Sequence, residues 1–243
     1  MVFKIDVGRK LIMKTKIIGF LICMLLIFTI VLSASSISMI PRKIKPFSNG
    51  ETLYVGGSGP GNYTKLQDAI DNASDGDTVF VYNGTYYENI VVNKTIDLIG
   101  VDKNTAIIIG DNDYNVIEIN APNVVVKYFM VIGGGHCIDI DSDYSEISNN
   151  IFKDSGYAAI EVNGDFNVIS ENSVSGNISN PEGHGIELRH SYNTSQYNIV
   201  KNNIIKDCYY GIDIVESFGN SQCSNNEIFG NTITDCLIGI YIN

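Results

Sequence analysis

Ile138-Asp139-Ile140 is written again as Ile160-Glu161-Val162, Ile186-Glu187-Leu188, Ile212-Asp213-Ile214 and Ile240-Tyr241-Ile242, with Ile117-Glu118-Ile119 ahead of them. The steps are 21, 22, 26, 26 and 28 residues. Between copies runs a second phrase, Ile-x-x-Asn-x-apolar, read at Ile147 to Phe152, Ile169 to Val174, Ile199 to Ile204 and Ile228 to Ile233. Two short strand-like pieces per unit, turn residues between them and no helical period mark a solenoid of β-coils. The prediction is an all-β fold, a right-handed parallel β-helix from about residue 78 onward.

The phrase also assigns faces. Side chains alternate along a strand, so the two aliphatic residues point one way and the middle residue the other. Successive coils lie roughly 4.8 Å apart, and the aliphatics stack into a core that no single coil can bury alone. Ile138, Ile140, Ile160, Val162, Ile186, Leu188, Ile212 and Ile214 are the expected interior. Asn150, Asn172, Asn202 and Asn231 are expected to form a structural ladder at a turn, where Asn tolerates left-handed angles and its amide bonds to the coils above and below. Cys208 and Cys236 each sit four residues before the Ile of their unit, so they are expected neighbours with a separation suited to a disulfide.

One helix is expected, from Tyr63 to about Ala73, with Leu66, Ala69, Ile70 and Ala73 on one stripe. It suits a cap over the first coils. Residues 1–40 read as a signal peptide or an N-terminal membrane anchor. Lys14 and Lys16 precede the uncharged run Ile17 to Leu32, small residues Ser33-Ala34-Ser35-Ser36 follow, and the uncharged stretch continues to Ile40. Residues 41–50 are a linker, and 51–243 the β-helix domain, expected to continue beyond residue 243 in a longer product. The domain should lie outside the cytoplasm, secreted or on the cell surface, touching membrane only through residues 17–40.

From Glu51 onward there are 26 acidic residues against eight basic ones, a net charge of −18. That balance argues against nucleic acid, whose binding rests on neutralised phosphates. Six Asn-x-Ser/Thr sequons and four cysteines after Cys23 agree with export.

Tyr63-Thr-Lys-Leu-Gln-Asp-Ala-Ile70, Asp75-Gly-Asp-Thr-Val-Phe-Val81, Gly84-Thr-Tyr-Tyr-Glu-Asn-Ile90 and Lys94-Thr-Ile-Asp-Leu-Ile-Gly100 resemble the opening of right-handed parallel β-helix proteins of the pectin-lyase-like superfamily. The later repeats resemble the NosD-type family, named for periplasmic copper-binding proteins, and repeat-bearing surface proteins. This scaffold hosts lyases, hydrolases, esterases, epimerases and non-enzymes, so the resemblance implies the fold and leaves the activity open. The pectin methylesterase motifs Gln-Asp-Thr-Leu, Asp-Phe-Ile-Phe-Gly and Arg-Pro-Trp are absent, and the chain has no Trp. Gly183-His184-Gly185 matches the polygalacturonase Gly-His-Gly. Ala158 and Ala159 stand where the paired aspartates would be, which removes glycoside hydrolysis at that place. Copper would need clustered imidazole or thiolate ligands. His136 and His184 fall in one column but two coils apart, too far to share an ion, and only His190 could join another group.

What remains is the row of middle residues, Glu118, Asp139, Glu161, Glu187 and Asp213, with Asn120, Asp141, Asn163 and Arg189 two residues further along. Carboxylates about 5 Å apart repel by around 1 kcal/mol in water and by more at a protein surface. Such a row is either a solvated acidic stripe or a cation site, with Asp139, Asp141, Glu161, Asn163 and Glu187 as oxygen ligands for calcium. Three functions follow. The first is a non-catalytic scaffold that binds polysaccharide or another cell-envelope component. The second is a calcium-assisted polysaccharide lyase or epimerase acting on uronates, with Arg189, His190 and Glu187 as catalytic candidates. The third is metal delivery of the NosD, copper-related kind.

Overall fold

The computed structural model describes residues 50–111, 114–189, 194–215 and 223–242. The expected leader or anchor and nearly all of the expected linker fall outside these residues. Among the described residues, no helix is long and apolar enough to cross a membrane.

Three parallel sheets form the walls of a right-handed coil stack. The first sheet has eight strands, beginning with Thr52–Val55, Thr78–Val81 and Asp97–Gly100 and ending at Glu227–Phe229. The second has seven, from Gly84–Tyr87 to Thr232–Thr234. The third also has seven: Ile90–Val92, Ile117–Ile119, Ile138–Ile140, Ile160–Val162, His184–Arg189, Tyr210–Val215 and Ile238–Ile242. The chain visits the sheets in that order on each circuit, so each strand pairs with the strand one circuit earlier. Ile138, Ile160, Ile186, Ile212 and Ile240 are in direct register, as the phrase spacing demands.

The stack begins earlier than residue 78, because Thr52–Val55 already pairs with Thr78–Val81. The helix is also shorter than expected, Leu66–Asn72. It lies in sequence between these two strands and buries Leu66, Ala69 and Ile70 against the first coil. Lys65 at its N-cap gives no side-chain hydrogen bond; Glu88, on the next coil, accepts from the N–H groups of Leu66 at 2.9 Å and Gln67 at 3.1 Å. That carboxylate satisfies two of the free N–H groups at the helix start and anchors the helix to the coil.

Ile138, Ile140, Ile160, Val162, Ile186, Leu188 and Ile212 are fully buried, and Ile214 is 7% exposed. Burial of each such side chain contributes roughly 1.5–3 kcal/mol, and the column is continuous with Phe129, Phe152, Val174 and Ile205 from the other walls.

The turn between the first and second sheets holds an amide ladder, with one correction. Its members are Asn150, Asn172, Asn203 and Asn231; Asn202 is exposed. From Asn172 onward each side-chain oxygen accepts from the backbone N–H and the amide of the Asn one coil before, as Asn172 does from Asn150 at 3.0 and 3.2 Å, and Asn150 accepts from the Phe129 N–H at 3.0 Å. Each amide also donates to a backbone carbonyl, as Asn203 does to Ile169 at 3.0 Å. The left-handed residue is the one before the ladder: Asn149, Glu171, Asn202 and Gly230 all have φ between 55° and 67°. A second ladder runs where the third sheet returns to the first, from Ser145 N–H to Asn167, Asn198 and Asn226, each at 2.8 Å. Beside it Tyr144, Phe166 and Tyr197 stack nearly parallel, 4.9 and 5.0 Å apart.

Candidate functional site

The outer face of the third sheet carries the acidic row. Pairing sets Glu118, Asp139, Glu161, Glu187, Asp213 and Tyr241 one per coil in a single file. The row is not a solvated stripe. Glu161 is 6% exposed, Glu187 5% and Asp213 3%. Carboxylates this buried need partners, because unpaired burial costs several kcal/mol each.

Two histidines supply them. His136 Nε2 lies 2.9 Å from Glu161 Oε2, and His184 Nδ1 lies 3.0 Å from Asp213 Oδ2 and 3.6 Å from Glu187 Oε2. Neither Glu161 Oε2 nor His184 Nδ1 makes an aligned hydrogen bond, so these are close ion pairs. Arg189 Nη1 bridges Glu161 and Glu187 more loosely, at 3.9 and 3.8 Å. The histidines stand on the acidic face because strand alternation breaks just before the Ile-x-Ile phrase. Cys137 is fully buried inside, and a Cβ on Gly185 would point at Ile205 Cγ2 and Cys208 Sγ, only 2.6 and 3.2 Å away. With positions 137 and 185 turned inward next to an inward Ile, positions 136 and 184 are left on the outer face. Strict alternation would have turned both imidazoles into the core.

The wider network divides in two. In the first half His136 Nδ1 lies 3.0 Å from Asn115 Oδ1, and Asn115 donates to Asp139 at 2.8 Å. The Asn163 amide donates to both Asp139 (3.2 Å) and Glu161 (3.0 Å). In the second half His184, Glu187 and Asp213 converge. The five residues expected to bind calcium are therefore not one cluster. Asp139, Glu161 and Asn163 are joined by hydrogen bonds, Asp141 borders them, and Glu187 belongs with His184. Glu118, half-buried, holds Asn120 at 2.7 Å. His190 lies outside the described residues.

Burial and these contacts set the electrostatics. Burial, then the charges of Asp141 and Glu161, push the Asp139 carboxyl up to about 7. Burial also raises Asp141 and Glu187. Burial would raise Glu161 as well, but contact with His136, the Asn163 amide and Arg189 outweigh it and hold Glu161 below its ordinary value. Burial opposes the charge on both imidazoles. Glu161 outweighs it for His136, and Asp213 with Glu187 does so for His184, so both are held above the ordinary histidine range.

Aromatic rings border the row. Tyr157 packs 5.7 Å from His136 and is 54% exposed. Tyr210 lies between His184, at 5.0 Å, and Tyr241, at 5.1 Å. At the other end a cavity of about 320 Å³ is lined by Asn89, Ile90, Val91, Tyr114, Asn115 and Glu118. Cys137, Cys208 and Cys236 are free thiols. Cys208 and Cys236 lie on adjacent coils, where Leu237 N–H donates to Cys208 O at 3.1 Å.

Against this geometry stand the known proteins. A cell surface glycoprotein of Methanothermus fervidus is 38% identical over 84 residues, which span 33% of this chain and 14% of that protein. Carrot pectin methylesterase superposes with a TM-score of 0.49 at 14% identity, over 81% of this chain and 65% of its own. An alginate lyase from Paenibacillus gives a TM-score of 0.45 at 11% identity, over 79% and 98%. At such values neither enzyme bears on the activity of this chain. The family model described as periplasmic copper-binding protein (NosD) matches residues 70–243, so the chain belongs to the NosD family.

Proposed function

We propose that this chain is an extracytoplasmic, non-catalytic β-helix protein that binds a hydroxyl-rich, uncharged polysaccharide along the outer face of the third sheet. The observation that carries the reading is the run of partly exposed tyrosines beside buried hydrogen-bond acceptors. Tyr114, Tyr157 and Tyr241 are 69%, 54% and 37% exposed, and they border Glu118, Asp139, Glu161, Glu187 and Asp213. Sugar rings stack their C–H faces on such rings while hydroxyls donate to carboxylates, the division of labour expected of a polar ligand site. Glu118 to Tyr241 spans six coils, roughly 24 Å at 4.8 Å per coil, enough for several sugar units.

An excess of carboxylates over His136, His184 and Arg189 disfavours a bare uronate polymer. The lyase or epimerase reading has less support, because Arg189 already faces Glu161 and Glu187. Location outside the cytoplasm is supported by the periplasmic description of the family, by the cell-surface relative and by the sequons. Affinity electrophoresis of the purified chain through gels containing neutral or uronate polysaccharides tests the proposal. Retardation by a neutral polymer, lost in Tyr157→Ala with Tyr241→Ala, is expected. Release of unsaturated ends from a uronate polymer, seen as ultraviolet absorbance, would instead establish a lyase.

A further inference from the structure

The second half of the acidic row carries an inference independent of glycan binding. His184 Nδ1, a Glu187 carboxylate oxygen and an Asp213 carboxylate oxygen all lie within 4.8 Å of one another, and all three residues are buried. We propose that His184, Glu187 and Asp213 bind a single divalent transition-metal ion of the zinc(II) type.

Three observations support this. The first is geometric. Metal–ligand lengths of about 2.0–2.2 Å put the donor–donor edges of a tetrahedral site near 3.4 Å. The His184 contacts at 3.0 and 3.6 Å bracket that length. The second is an unfilled valence. Asp213 is 3% exposed, and its Oδ1 has no hydrogen-bond partner; His184 Nδ1 also lacks an aligned one. Buried polar atoms are nearly always satisfied, so His184 Nδ1, left open where it faces both carboxylates, marks the place of a ligand. The third is charge. Once the imidazole has released its proton to solvent, it and the two carboxylates offer two negative charges and three lone pairs, which a divalent cation balances.

The donor set selects the metal. Imidazole nitrogen with two carboxylates suits zinc, copper, nickel or iron, whereas calcium and magnesium take all-oxygen shells. Three protein ligands leave at least one position for water, as in open zinc sites. The other half of the row differs in that amide groups already donate to its carboxylates. There the Asn163 amide donates into Asp139 and Glu161, and Asn115 into Asp139.

The test uses the full chain, stripped with chelator and titrated with zinc sulfate by calorimetry and by competition with a chromophoric chelator. One ion per chain is expected, with a rise in thermal midpoint, since a ligand held only by the folded state stabilises it. His184→Gln and Asp213→Asn should each weaken binding on the order of 100-fold. Glu118→Gln, four coils from Asp213, should not change it. Glu187→Gln removes charge from a crowded site and serves as a second ligand variant should either of the others fail to fold. Cobalt(II) in place of zinc should give visible bands that report a low-coordinate nitrogen–oxygen shell and vanish in Glu187→Gln. No heat above dilution would overturn the site. So would zinc binding unchanged in folded ligand variants, or a response to calcium alone that Asp139→Asn with Glu161→Gln removes.

Discussion

His136 Nε2 and Glu161 Oε2 meet at 2.9 Å across one coil, with the imidazole 17% and the carboxylate 7% exposed. The pair makes burial of Glu161 tolerable, and His136 reaches it from the corner that leads into the neighbouring strand Ile138–Ile140. Removing His136 leaves the buried Glu161 charge only the Asn163 amide and the looser Arg189 contact. His136→Ala should therefore destabilise the fold by about 3 kcal/mol, the low end for a broken buried pair because the imidazole is partly wet. The double change His136→Ala with Glu161→Leu should recover most of that loss, since an apolar side chain needs no partner. Urea unfolding of the parent, both single variants and the double variant measures the coupling.

The amide ladder gives a sharper contrast between neighbours in sequence. Asn203 is fully buried and exchanges hydrogen bonds with Asn172, Asn231 and Ile169. Asn202 is exposed and only supplies φ of 55°. Asn203→Ala strands several buried groups at about 1–3 kcal/mol each, for a loss near 4 kcal/mol. Asn202→Ala pays only for the left-handed angle, about 1–2 kcal/mol, and Asn202→Gly should be close to neutral. Thermal unfolding of the three variants tests the assignment; equal losses at 202 and 203 would reverse it.

That contrast also shows what the sequence could disclose. Ile-x-Ile spacing reveals the stack because every aliphatic pair must meet its predecessor, which makes the register visible as repetition. Asn202-Asn203 offers two amides to a pattern that needs one, and a one-residue slip in a strand exchanges its faces. Pairing of Val200 with Ile169, and of Ile205 with Val174, settles the choice for Asn203. Burial of the acidic row was hidden for a different reason. It depends on His136 and His184 standing outside, and alternation from Ile138 and Ile186 turns them inward. Only the corners at Cys137 and Gly185 reverse that. A glycine before Ile186 and another before Ile212 were the available signal, since each lies within 2.6 Å of core atoms if given a Cβ.

Cys208 and Cys236 are expected to close into a disulfide under oxidising conditions, but slowly. Burial and the neighbouring Cys236 push the Cys208 thiol up to about 12, so little reactive thiolate exists at neutral pH. Cys137 is fully buried, and its thiol is likewise pushed up to about 12, chiefly by burial. Alkylation of the native reduced chain should label Cys236 first, Cys208 slowly and Cys137 only on unfolding. Peptide mapping after incubation with oxidised glutathione should find Cys208 joined to Cys236. A bridge from Cys137 to Cys208 would contradict the stack, because its thiol faces the Lys153 carbonyl, two coils before the Lys206 carbonyl that Cys208 faces.

Asp139 should make the fold sensitive to pH in a direction opposite to that of an ordinary surface carboxylate. Its folded value of about 7 lies above the unfolded value near 3.9, so the folded chain holds the extra proton more tightly. The stability tied to that proton is fully present below about pH 3.9 and is lost as pH rises through about 7. His136 also has a raised value, so its contribution too is lost as pH rises through its folded value. It is present in parent and variant alike and largely cancels in their difference. Asp139→Asn removes the charge that Asp141 and Glu161 oppose. In the presence of chelator, its thermal midpoint should exceed the parent's by several degrees at pH 8 and by much less at pH 5. Calorimetric scans of both proteins across that range decide it. An advantage that stays constant with pH would place the ionisation of Asp139 outside the window and return the residue to the role of a hydrogen-bond acceptor for Asn115 and Asn163.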